Sequence, residues 1–220
     1  MYKILGGDAT QLMDELEPHS VDMIFTSPDP LYYYKSKRDL DIVMNKAWRV
    51  LKDTGSMWIE LGDYHDEDGR MMLLPERFMK EWENSAWLLR SKIIWHRIEA
   101  SGREEFNRFQ RNWEYVLLYT KMKHGYYFKD NDGFLSSTSV FPYAYLPPRQ
   151  GEFESGFPED LVDMAIGIGC PRGGTVLDPF CNTATTGVVA LRNHVNFIGM
   201  EIRSEEIPLI NQRLEKIKGY

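Results

Sequence analysis

Cysteine is scarce in this chain, with only Cys170 and Cys181 among 220 residues. Two thiols give neither a disulfide framework nor a zinc-ligand spacing. The five histidines stand at no ligand spacing from one another, so no metal is expected. No apolar run is long enough to cross a bilayer. The opening Met1-Tyr2-Lys3-Ile4-Leu5 has no signal-peptide pattern, and neither repeats nor low-complexity tracts occur. These absences predict a cytoplasmic protein with reduced thiols and no membrane contact.

Positive charge is also short overall, with a net charge of -7. That balance counts mildly against nucleic acid, but bulk charge is a poor guide when a basic patch is local. From Arg90 to Lys129 there are nine Lys or Arg against four Glu. Such a local excess is the kind of footprint that phosphate binding uses; a solvated surface is the plainer alternative.

What is present is an ordinary globular composition, 43% hydrophobic and 27% charged. It is enough for one domain over 1–220 with a sizeable core. Strand and helix signals alternate. Strands are expected at 2–5, 21–26, 56–61 and 87–95. A helix over 38–51 buries Leu40, Val43, Ala47 and Val50, and Asp53-Thr54-Gly55 ends it. Leu74, Phe78 and Trp82 mark another helix. Residues 113–119 and 126–128 read as a hairpin joined at 121–125. The polar stretches 98–111 and 130–156 read as long loops. A helix opened by Pro158 follows, and 205–218 closes the chain helically. This pattern predicts an α/β fold: a mostly parallel twisted sheet with an antiparallel edge hairpin and helices on both faces.

The stretch 175–192, T-V-L-D-P-F-C-N-T-A-T-T-G-V-V-A-L-R, organises the rest. It is a short apolar strand, a carboxylate (Asp178) at its end, a tight loop of small residues, then a helix. Free N–H groups at a helix start and small loop residues suit a nucleotide-type ligand. One strand later, Asn196 to Glu201 ends in a second carboxylate, well placed to grip a ribose. Asp8, Ser27, Gly62, Asp178 and Glu201 all follow strands, so they can converge at one sheet edge.

The stretch resembles the cofactor motif of the beta group of S-adenosylmethionine-dependent amino DNA methyltransferases, the N4-cytosine and N6-adenine family. Its usual form is D-P-F-x-G-S-G-T-T-G, then F-I-G-x-E. Here Asp178-Pro179-Phe180, Thr185-Thr186-Gly187 and Phe197-Ile198-Gly199-Met200-Glu201 match. Both loop glycines are replaced, leaving Cys181-Asn182-Thr183-Ala184. Upstream, Thr26-Ser27-Pro28-Asp29-Pro30 resembles the family's T-S-P-P-Y catalytic motif, with Asp29 as the departure. Gly7-Asp8-Ala9, 49–56, 61–64, 89–96, Glu114-Tyr115, 157–159 and 169–171 match in order as well.

The resemblance implies a Rossmann-like methyltransferase fold, S-adenosylmethionine as cofactor and double-stranded DNA as partner. A homodimer and a cognate restriction nuclease are further candidate partners. It maps cofactor contacts to Asp8, Ala9, Phe157, Pro158, Asp178, Phe180, Asn182, Thr183, Thr185, Thr186 and Glu201. For Asp8 the plainer reading is a helix cap. The chemistry needs acceptors around an exocyclic amino group, which Ser27 and the Pro28 carbonyl can supply, held by Pro28 and Pro30. Asp29 is an extra acceptor or a solvent-facing turn residue. Tyr32, Tyr33 or Tyr34 could stack on a base swung out of the duplex. Arg97, Arg103, Arg108 and Arg111 are expected on DNA, with the loops 98–111 and 130–156 reading the target. Serine rather than aspartate at 27 favours cytosine N4 over adenine N6. The altered motifs also leave open a SAM- or DNA-binding protein with little activity. Cysteine-based C5 chemistry is disfavoured because position 170 reads Cys-Pro, not Pro-Cys.

Overall fold

The structure, a computed structural model, describes residues 1–29, 37–97, 112–130, 139–143 and 158–218. Among these residues one eight-stranded sheet runs through the molecule. Its strands are β1 (Tyr2–Gly6), β2 (Val21–Thr26), β3 (Leu51–Leu61), β4 (Leu88–Arg97), β5 (Trp113–Thr120), β6 (Val140–Tyr143), β7 (Thr175–Asp178) and β8 (Asn196–Glu201). The spatial order is β1-β8-β7-β2-β3-β5-β4-β6. Only β5 runs against its neighbours; every other pairing is parallel.

Helices cover both faces. On one lie α1 (Ala9–Leu12), α2 (Lys37–Val50) and α3 (Leu74–Trp82); on the other lie α4 (Glu159–Gly169), α5 (Thr185–Arg192) and α6 (Ile207–Lys218). Alternation along the strands makes this possible. In β5, Val116 and Leu118 pack with α4 to α6, while Leu117 and Tyr119 pack with α1 to α3. Gly187 lets α5 press onto the sheet: a Cβ there would stand 2.5 Å from the Phe197 ring. Burying a phenylalanine of this kind contributes about 1.5–3 kcal/mol.

Three expectations change. The antiparallel element is not a hairpin of 113–119 with 126–128. Instead β5 inserts between β3 and β4, and the chain after it crosses away, docking Tyr127 N on Thr54 O and Lys129 N on Ile168 O. Second, Asp53-Thr54-Gly55 does not separate helix from strand; α2 ends at Val50, and β3 begins at Leu51 and runs through these residues. A register shift against β2 between Val21 and Met23 absorbs the irregularity. Third, the stretch taken as loop at 130–156 contains β6, a short edge strand holding Pro142. Loop 98–111 lies outside the described residues.

Candidate active site

The parallel pairings bring the C-terminal ends of β1, β8, β7, β2 and β3 to one rim. Gly6 pairs with Glu201, Asp178 with Gly199, and Thr26 with Ile59. Gly7, at φ 141°, turns off β1 and donates its N–H to the Glu201 carbonyl at 2.9 Å. Asp8 then caps α1, accepting from Thr10 N at 2.8 Å. Ala9 is buried behind it.

β2 is the axis of the rim. Thr26 donates to Asp178 Oδ1 on β7 at 2.8 Å. The next residue, Ser27, donates to Glu60 Oε2 on β3 at 2.5 Å. Adjacent side chains on a strand point to opposite faces, and here each finds a carboxylate on a different neighbouring strand. Pro28 is buried and Asp29 is exposed. Pro30, Tyr32, Tyr33 and Tyr34 lie outside the described residues.

Asp178 is 1% exposed and saturated from within the protein. Besides Thr26 it accepts from Thr186 Oγ1 at 2.8 Å and Phe180 N at 3.1 Å. Burial still lifts its pKa to about 6, against the downward pull of those three bonds. Asp178 therefore builds the cleft by fastening β2 to the start of α5. Phe180 is half-buried against the α1–α3 side.

The loop after Asp178 turns tightly. Cys181 N reaches Met200 O at 3.0 Å and Ala184 N reaches Cys181 O at 2.6 Å. Asn182 and Ala184, standing where the motif has glycine, take positive φ of 44° and 58°. Thr183, Thr185 and Thr186 are buried. No side chain caps α5 at Ala184, so the first-turn amides lack that partner. Burial pushes the Cys181 thiol up and that of Cys170 to about 12, which disfavours thiolate chemistry.

At the far side of the cleft Glu201 is 6% exposed. Its Oε1 accepts from Arg203 N and Nε, both at 2.9 Å, leaving Oε2 without a protein donor among the described residues. Ile202 beside it is 69% exposed. An uncapped helix start, an open carboxylate oxygen and an exposed apolar side chain fit a nucleoside-bearing cofactor. Pro158 is the N-cap of α4, and Phe157 lies outside the described residues.

Sequence reasoning missed Glu60. It is buried within the apolar run Met57–Leu61, and a lone carboxylate in such a run was the available signal. Burial, then the nearby Glu114, raises its pKa well above the usual range; the bond from Ser27 and the charge of Arg97 oppose this. A hydrogen bond shared with Glu114 raises it further.

Arg97, expected on DNA, is held within the protein's own contacts. Its guanidinium turns inward, 3.5 Å from Glu114 and over the Trp95 ring. Lys121, also counted in the basic stretch, is likewise drawn in, beside Asp53 and the Trp48 ring. Arg103, Arg108 and Arg111 lie outside the described residues. Asp63 serves the scaffold, accepting from the N–H groups of Tyr64, Leu73 and Leu74. A cleft of about 310 Å³ between Tyr127, Cys170 and His194 lies at the opposite, N-terminal edge of β7 and β8, away from this rim.

The sequence pattern of the N6/N4 DNA methylase family matches residues 33–212. The chain belongs to that family. Among relatives of this methylase is YhdJ of Escherichia coli strain K12, a DNA adenine methyltransferase, 27% identical over 99% of this chain and 84% of that one. PvuII DNA methyltransferase (cytosine-N4-specific) shares the fold with a TM-score of 0.81 at 18% identity, over 99% of this chain and 90% of that one. The complex of M1.HpyAVI with SAM superposes with a TM-score of 0.79 at 20% identity, over 97% and 99%. The structural likenesses bear on the fold; among the described residues, no helix is long and apolar enough to cross a membrane.

Proposed function

We propose that this DNA methylase transfers a methyl group from S-adenosylmethionine to the exocyclic N4 amino group of a cytosine held out of duplex DNA. The observation that carries the reading is the pair of bonds from β2, Thr26 to Asp178 and Ser27 to Glu60. These bonds tie the end of β2, which we read as the amino-holding motif, to the ends of β7 and β3. S-adenosylmethionine would supply an electrophilic methyl, its sulfur leaving as a neutral thioether and the surplus amino proton passing to solvent. Glu201 Oε2 and the first-turn amides of α5 are the groups that would hold it.

The Ser27 hydroxyl spends its own proton on Glu60. Its oxygen is therefore left as an acceptor for an amino N–H. The Pro28 carbonyl is a second acceptor at a position stiffened by the proline ring. Acceptors on both N–H bonds favour a pyramidal nitrogen whose lone pair is free to attack, and fixing them in advance is preorganisation. Serine at position 27 supports cytosine. The adenine-specific relative YhdJ supports N6-adenine as the second reading.

The test is methylation of mixed-sequence duplex DNA with labelled cofactor, followed by digestion to nucleosides. Label in N4-methylcytosine is expected. Label in N6-methyladenine replaces the base assignment. Cofactor and DNA binding without any label overturns the enzymatic reading in favour of a binding protein.

A further inference from the structure

Asn182 and Ala184 hold left-handed backbone conformations, φ 44° and 58°, that glycine adopts without strain and other residues do not. Two arginines from outside the loop reach into it. Arg213 on α6 donates to the Thr183 carbonyl at 2.8 Å. Arg203, just past β8, donates Nη2 to Asn182 Oδ1 at 2.6 Å. The same residue donates N and Nε to Glu201 Oε1, and its Nη1 stands 3.8 Å from Glu206.

One guanidinium thus spans the distance from the loop to the carboxylate at the end of β8. The acceptor in the loop is a side chain. A glycine would relieve the strain but offer no such acceptor; asparagine keeps the strain and supplies the handle. We infer that Arg203 is a positioning residue for the cofactor loop, fastening Asn182 to Glu201 in place of the conformational freedom that glycine would give. The inference rests on the reading that this loop and Glu201 hold S-adenosylmethionine. Arg203 engages Oε1 alone, so it orients the carboxylate and leaves Oε2 for the ligand. Its side chain is 47% exposed, so replacing it opens no core cavity.

The experiment compares the natural chain, Arg203→Ala, Asn182→Gly and the double variant. Calorimetry measures S-adenosylmethionine binding, and thermal unfolding is followed on the ligand-free chain. Arg203→Ala is expected to weaken binding about tenfold and lower the melting temperature, with a clearly smaller effect in the Asn182→Gly background, where only the Glu201 contact is left to lose. KM for the cofactor rises while kcat changes little. Arg203→Lys keeps the charge but not the planar fork, and behaves like Arg203→Ala. No loss, or an equal loss in both backgrounds, overturns the clasp. If the natural chain binds no S-adenosylmethionine, the reading of the cleft fails. The unfolding comparison still decides whether Arg203 and Asn182 are coupled.

Discussion

Two buried carboxylates flank β2, and they are served very differently. Asp178, on the cofactor side, receives three hydrogen bonds. Glu60, on β3, receives one from Ser27 and shares another with a second carboxylate, Glu114. A saturated buried carboxylate is a structural knot. One buried beside a like charge is retained at an energetic cost, which points to a use. We propose that the contrast separates a group that builds the rim from one that serves the amino-holding Ser27.

The largest effect should come from untying the knot. Asp178→Ala orphans Thr26, Thr186 and the Phe180 N–H in a buried place, and a loss of about 3–5 kcal/mol in urea-unfolding stability is expected. Glu60→Gln should do the reverse: little change in unfolding, with methyl transfer reduced about 100-fold because the amide N–H competes for the Ser27 oxygen that would accept from the amino group. Single-turnover transfer beside cofactor titration checks this. If Glu60→Gln unfolds the chain while Asp178→Ala does not, the two roles are exchanged.

The smallest effect is a pH slope. The pKa of Asp178 rises from 3.8 to about 6 on folding, so the folded chain holds that proton more tightly. Its contribution to stability is present at low pH and is lost as pH rises through about 6. The difference in stability between the natural chain and Asp178→Asn should change across pH 4 to 6, with a slope approaching about 1.4 kcal/mol per unit at its steepest. A flat difference would mean that burial does not perturb Asp178.

The strand-end positions of Asp178 and Glu201, and of Ser27 just past β2, were legible in the sequence because each stands inside a local motif. Periodicity also placed α2, α3 and the start of α4 within a residue or two. Glu60 and Arg203 were not legible. Their roles come from partners 33 and 21 residues away, delivered by strand register and by the turn after β8. No local pattern encodes such meetings. β6 escaped for a different reason: four residues with a proline carry too little alternation to stand out from loop. The inward turn of Arg97 escaped because a charge count cannot tell an ion pair from a free cation.

The pairing of β1 with β8, Tyr2 against Phe197, has a consequence for synthesis. β1 must wait for a strand 195 residues further along the chain before these hydrogen bonds close, and β2 waits similarly for β7. During translation the half of the sheet that carries the cofactor cleft therefore stays open at its edges, while β3, β4 and β5 can already pair. Chaperone dependence and aggregation during expression should concentrate in that late-closing half.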